Sequence, residues 1–207
     1  MNEYITVSSY GEDSFVEKRS KFIGYAKPVQ TEQEAVDFIN ELRQKHWDAT
    51  HNVYAYVLRE GNTARYSDDG EPQGTAGIPV LDVIKKTGIC DVVVVVTRYF
   101  GGVLLGTGGL VRAYSNGAKI AIEAAKPVAM RECSVCKIKC SYTAYGKISS
   151  LIVSDGGKTD DTVFADNVEI LFHIPTDSQS LFSKHLTDLT AGGVTAETID
   201  KRYFMCQ

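Results

Sequence analysis

Between Thr97 and Arg112 the sequence reads Thr-Arg-Tyr-Phe-Gly-Gly-Val-Leu-Leu-Gly-Thr-Gly-Gly-Leu-Val-Arg, which sets Gly101, Gly102, Gly106, Gly108 and Gly109 between an apolar run and a helix-like pattern. A glycine-rich loop that opens a helix can aim unpaired backbone N–H groups at an anion, helped by the positive end of the helix dipole. Thr107 is placed to cap that helix, and Arg98 and Arg112 to add forked, charged donors for a phosphate or carboxylate. Tyr99 stands beside them. Gly101 and Gly106 have the separation of the P-loop glycines, but the Lys-Ser/Thr that must follow is missing. Gly106-Thr107-Gly108 begins a dinucleotide fingerprint, and Val111 stands where its third glycine belongs. Neither motif is present. The same glycines also suit tight turns and close helix-to-sheet packing, with the two arginines paired to local carboxylates.

A second group, His51 with Asp68, Asp69 and Glu71, contains residue types that ligate metals or exchange protons. Its spacing matches no metal loop, and a polar turn ahead of a helix needs the same residues. Cys133-x2-Cys136 has a zinc-like spacing, yet residues three apart in an extended run face opposite ways, and no second pair accompanies it. Nucleophile motifs such as Gly-x-Ser-x-Gly are absent. No cofactor, metal site or catalytic set is expected from these patterns.

The 207 residues have ordinary globular composition, 43% hydrophobic and 23% charged, with net charge −4. Up to residue 128 there are 14 basic and 16 acidic residues, and 8 and 10 follow, so both halves are mildly acidic. Strong non-specific DNA or RNA binding, which depends on a basic excess, is not expected. The longest apolar run, Val92 to Val96, is far below the roughly 20 residues of a membrane span, and no basic-then-apolar leader opens the chain. Cys90, Cys133, Cys136, Cys140 and Cys206 are odd in number and sparse, which reads as thiols in a reducing compartment. The expected location is the cytosol.

The elements that must position these residues follow from periodicity. Two early strands are expected, through Tyr4–Val7 and Ser20–Val29. Thr31 and Glu34 form a capping box for a helix to about Lys45 that buries Ala35, Phe38, Ile39 and Leu42. Strands at 51–58 and 64–67, a turn at 68–72 and a helix at 78–86 lead to 91–97, apolar on both faces and therefore a covered central strand. A helix from about Leu110 to Ala125 presents Val111, Tyr114, Ala118, Ala121 and Ala125 on one side, until Lys126-Pro127 stops it. The remainder, extended at 130–142, helical at 144–153, extended at 162–165 and 168–174, helical through Leu181–Leu189 and extended at 194–203, is the split βαβ pattern of a ferredoxin-like domain. The expected fold class is α+β in two domains, 1–128 and 129–207.

The chain resembles the YigZ/IMPACT family, bacterial branch. The resemblance is carried by Lys18-Arg19-Ser20-Lys21-Phe22, Ala49-Thr50-His51, Ser67-Asp68-Asp69-Gly70-Glu71-Pro72, Ala76-Gly77-Ile78-Pro79, and Arg98-Tyr99-Phe100-Gly101-Gly102 with Leu105-Gly106. It implies a first domain with the βαβ-containing fold of domain IV of elongation factor G and of a small-subunit ribosomal protein, followed by a ferredoxin-like tail similar to another elongation-factor domain. Eukaryotic IMPACT members restrain a kinase that shuts down translation initiation, through an additional N-terminal module; this chain starts directly at the family domain. The resemblance therefore implies a looser link to translation.

Residues and resemblance meet on one expected surface: His51, Arg65, the acidic turn, Arg98, the glycines and Arg112. The expectation is a cytosolic binding protein associated with translation or its regulation, its partner the ribosome, RNA or a translation-associated protein, held by RNA phosphate or an acidic surface at the glycine loop. The alternative is an enzyme acting on a nucleotide or phosphorylated metabolite through the same loop, since the first-domain fold also hosts small-molecule kinases.

Overall fold

The computed structural model describes residues 3–205, so Cys206 lies outside the described residues. The chain is a two-domain α+β protein and divides into two compact units, Tyr4–Ala129 and a second formed by residues from 130 onward together with Glu3. No described helix is long and apolar enough to cross a membrane.

The first unit begins with β1 (Glu3–Val7), β2 (Gly11–Glu17) and β3 (Ser20–Pro28), so the sequence expectation of two early strands misses one. The missed strand, Gly-Glu-Asp-Ser-Phe-Val-Glu, is mostly exposed on the edge of the sheet and has no apolar alternation to mark it. Helix α1 (Glu32–Lys45) starts where expected, with the Glu34 N–H donating to Thr31 Oγ1 at 3.2 Å. The Glu34 carboxylate takes the Gln30 N–H rather than that of Thr31, a capping box displaced by one residue. Strands β4 (His51–Leu58) and β5 (Thr63–Ser67), helix α2 (Gly77–Thr87), strand β6 (Val92–Tyr99) and helix α3 (Thr107–Ala124) complete the unit.

The sheet order is β2-β3-β6-β4-β5, with every neighbour antiparallel. The valine run of β6 is buried throughout, because α1 covers one face of the sheet and α2 with α3 the other. On the α3 side, Leu110, Ala113, Tyr114, Gly117, Ala118, Ala121 and Ile122 form the buried stripe, while Val111 is exposed, contrary to the expected face. The other four residues of the expected face, Tyr114, Ala118, Ala121 and Ala125, are buried, and the helix starts three residues earlier than expected, at Thr107. Small residues bring α3 so close that a β-carbon on Gly24 of β3 would overlap the Gly117 carbonyl oxygen.

The second unit contains β7 (Pro127–Cys140, most of whose length lies here), α4 (Tyr142–Ser154), β8 (Lys158–Phe164), β9 (Val168–Pro175), α5 (Gln179–Thr190) and β10 (Ala196–Met205). Its strands lie in the order β10-β7-β9-β8, the ferredoxin-like arrangement that the sequence periodicity implies. Alternate residues Cys136, Ile138 and Cys140 of β7 and Ile170, Phe172 and Ile174 of β9 pack on Ile148, Ile152, Phe182 and Leu186 of the helices. Cys90, Cys136 and Cys140 are free thiols. Among the described residues no group of three or more His, Cys, Asp or Glu is arranged to hold a metal.

The closeness of α3 to β3 is directly testable. Gly24→Ala must push the helix outward and is expected to cost about 1–3 kcal/mol or more, read from the denaturant midpoint at constant m-value.

Candidate functional site

Glu71 leaves the acidic turn and points inward, only 8% exposed. Arg98 Nη1 donates to its Oε1 at 2.6 Å, Tyr114 Oη donates to the same oxygen at 2.7 Å, and His51 Nε2 lies 3.7 Å away. Strand pairing explains the convergence: Phe22 of β3 and His51 of β4 are both register partners of Arg98, so all three side chains leave the sheet on one face. The guanidinium lies 5.5 Å from the Phe22 ring centroid and 5.3 Å from that of Phe100, and Nη2 donates to Ser20 Oγ. A carboxylate taken out of water must be paired and hydrogen-bonded, and this one is. Burial, reinforced by the neighbouring Glu71, holds the Tyr114 phenol well above its usual range and keeps it a donor. Of the two readings open for Arg98, the structure has the one paired to a local carboxylate: one terminal nitrogen goes to Glu71, the other to Ser20, and the buried Nε has no hydrogen-bond partner.

The other two carboxylates of the turn are also engaged. Asp68 accepts the N–H groups of Gly74, Ala76 and Gly77 at 2.8–3.1 Å, which caps α2 where Ala76 has no side chain to do so. Asp69 accepts from the Asn52 N–H at 2.7 Å and from Arg43 at 2.8 Å, while its carbonyl faces His51 Nδ1 at 2.8 Å. The group His51, Asp68, Asp69 and Glu71 is brought together, as one hydrogen-bonded turn clamped on the sheet.

The glycine loop begins where this cluster ends. A β-carbon on Gly101 would overlap the Arg19 carbonyl, so the loop and the β2–β3 hairpin touch backbone to backbone. Gly102 follows with φ 80°. Gly106, at φ 73° and ψ 166°, a region essentially closed to other residues, occupies the N-cap of α3, and no side chain caps the helix. Thr107 is therefore the first helical residue, not the cap the sequence suggested. The first intrahelical bond comes from the Leu110 N–H to the Gly106 carbonyl, so the N–H groups of Thr107, Gly108 and Gly109 have no acceptor within the helix. The first turn carries no acidic side chain. Arg112 lies one turn on and is exposed, with Nη1 next to Gly108.

Across from Arg112 stands the hairpin tip. Lys18 and Arg19 have φ of 43° and 68°, left-handed values that cost roughly 1–2 kcal/mol for each non-glycine residue. Hairpin turns of this length normally use Asn-Gly, so the tip places two cations at an energetic cost. Lys18 and Arg112 line one cleft of about 250 Å³ with Phe15, Glu17, Leu105, Gly109, Ala113 and Asn116. Lys18, Arg19, Lys21 and Arg112 form no ion pair among the described residues. Sequence reading places Lys18 and Arg19 only in a motif, because nothing local ties the hairpin tip to a loop some eighty residues later.

Arg65 and Tyr99 belong to the other face of the sheet. Arg65 is paired in register with Tyr56 and lies 4.0 Å from Glu32 of α1. Tyr99 joins a chain of hydrogen bonds that sequence reading did not find: its hydroxyl donates to Asp48 at 3.1 Å and contacts His46 Nδ1 at 2.8 Å, and His46 Nε2 meets the Tyr25 hydroxyl at 2.6 Å. Since Tyr99 gives its proton to Asp48, His46 donates from Nδ1 to Tyr99, and in the neutral ring Nε2 accepts from Tyr25. Burial, with Lys45 nearby, pushes His46 below its ordinary pKa. Its backbone N–H caps α1 and its carbonyl accepts the Ala49 N–H, so the relay anchors the turn from α1 into β4.

Comparison with known proteins covers both units. The model of the Impact N-terminal domain matches residues 18–122, and that of a domain of unknown function, DUF1949, matches residues 138–192. The chain is 38% identical to IMPACT family member YvyE of Bacillus subtilis (strain 168) over 193 residues, 93% of this chain and 89% of that protein. It is 31% identical to IMPACT family member YigZ of Escherichia coli (strain K12), over 89% of this chain and 92% of that one. The Protein IMPACT homolog of Dictyostelium discoideum is 38% identical over 102 residues, 47% of this chain but 29% of that protein. A crystal structure of a hypothetical protein superposes with a TM-score of 0.62 at 29% identity, covering 97% of this chain and 98% of that one.

Two outcomes follow from the two faces. Arg98→Ala leaves the Glu71 carboxylate buried and unpaired and is expected to destabilise the first unit by about 3–5 kcal/mol in urea unfolding. For His46 the folded pKa lies below the unfolded value of 6.5, so the unfolded state binds more protons. Its contribution is full above the unfolded value and is lost as pH falls from there through the folded pKa; unfolding free energy measured from neutral pH downward should decline, and His46→Gln should flatten that part of the slope.

Proposed function

This chain belongs to the IMPACT family, and on that premise we propose that it is a cytosolic binding protein associated with translation, holding an anionic partner at the start of α3. One observation carries the reading: Lys18 and Arg112 flank a helix start that has spare N–H groups, no side-chain cap and no acid in its first turn. Such a place favours phosphate or carboxylate oxygens. The link to translation comes from the family resemblance, whose eukaryotic members act on initiation, and from the likeness of both domains to elongation-factor folds. Arg98 supports the site from beneath, by tying β6 to Glu71 and α3, and is not itself a ligand contact.

The alternative, an enzyme acting on a phosphorylated metabolite, requires carboxylates free to hold a metal or move a proton. Asp68, Asp69 and Glu71 are each committed to protein donors, which favours binding over turnover.

The test is sedimentation of the tagged protein from cell lysate through a sucrose gradient at low and moderate salt, beside Lys18→Ala/Arg112→Ala. Both side chains are on the surface, so the variant should fold. Salt-sensitive co-migration with ribosomal particles, lost in the variant, is expected; a wild-type protein that stays at the top in every gradient overturns ribosome association.

A further inference from the structure

Trp47 is the single tryptophan of the chain and is 83% exposed, although its backbone is firmly held. His46 on one side is locked between Tyr25 and Tyr99, and on the other the Thr50 N–H donates to the Arg98 carbonyl while Thr50 Oγ1 accepts the Phe100 N–H. The turn carrying Trp47 is thus fastened to the end of β6, where the glycine loop begins. Phe100, 45% exposed, and Leu104, 82% exposed, follow on that loop. Flat apolar side chains on fixed backbone, left in water, have a contact surface to offer at little entropic cost.

The cations described above share this end of the unit. Lys21 is the register partner of Tyr99, close enough to His46 to lower its pKa, and Arg19 packs on Gly101. Carboxylates stand among them too: Asp48, which accepts from Tyr99, Glu12, which acts on His46 with Asp48, and Glu17, beside Lys18 in the cleft. In a chain of net charge −4 this is a local cationic surplus. An acidic protein surface would satisfy the cations but has nothing flat to lay on the rings. A single strand of nucleic acid satisfies both, with phosphates on the cations and unstacked bases on the aromatics, whereas a duplex keeps its bases inside.

We propose that this end of the first domain binds single-stranded RNA, with Lys18, Arg19, Lys21, Arg112 and the start of α3 on the phosphates and Trp47 and Phe100 as stacking platforms. This rests on the anion-binding reading above and narrows it to one partner class.

Trp47 itself reports the outcome. Titrating the full chain with a short oligoadenylate is expected to quench its fluorescence, less so as salt rises, while the same strand annealed to its complement does not. Trp47→Ala and Phe100→Ala, each first checked for a wild-type thermal midpoint, should each weaken binding of a labelled oligoadenylate about tenfold or more, the scale of one base–aromatic stack. Unchanged affinity in both aromatic variants, with loss only in Lys18→Ala/Arg112→Ala, overturns the stacking platform and leaves the anion reading standing. Quenching by polyglutamate but not by oligoadenylate overturns RNA in favour of an acidic protein. Failure of ribosome co-sedimentation, read separately, tests the underlying proposal.

Discussion

The Glu71 carboxylate is shared by three elements that are far apart in the chain. Arg98 lies next to the end of β6, Tyr114 lies in the second turn of α3, and Glu71 belongs to the turn before α2, so one buried oxygen fixes the position of the central strand, the glycine loop between β6 and α3, and the acidic turn. The cost of dehydrating the pair is met only because the donors converge; a loop displaced by an ångström or two would leave charge unpaired in the core. The glycine loop is therefore a rigid connection held at both ends, and its irregular backbone is set by that buried contact.

A second constraint comes from close packing. Gly24 beneath Gly117 and Gly101 against Arg19 let backbone meet backbone, which draws α3 onto β3 and the loop onto the β2–β3 hairpin. The two contacts explain why Lys18 and Arg112, nearly a hundred residues apart, end on one cleft. They also explain why the hairpin tip tolerates left-handed lysine and arginine: the tip is placed by the sheet and the loop rather than by its own preference.

Much of the scaffold was legible in the residues. Five consecutive valines announced a strand covered on both faces, Thr31 and Glu34 marked the start of α1, and the alternation in β7 and β9 disclosed the second domain. Strand β2 was hidden because an exposed edge needs no apolar period. The position of α3 was misjudged because glycines mask a helix start, which made Thr107 look like a cap and Val111 like core. At the site, the residue types were readable but their partners were not. A buried arginine demands a carboxylate, yet which of three acids supplies it depends on how the turn folds back. The Tyr25–His46–Tyr99–Asp48 relay spans three elements and has no local signature, and nothing in the sequence distinguishes an exposed tryptophan from a buried one.

The position of β6 bears on how the first domain is assembled during synthesis. Strands β3 and β4 pair with β6 and not with each other, so both present open edges until the residues of β6 have been made and have inserted between them. Local structure such as the β2–β3 hairpin can form early, but the sheet closes only through pairings that span some seventy residues on one side, a slow class of contact. The strand that closes the sheet also delivers Arg98 and the glycine loop. An unfinished chain therefore has at most the cations of the hairpin in place, and competence to engage a partner arrives together with completion of the fold.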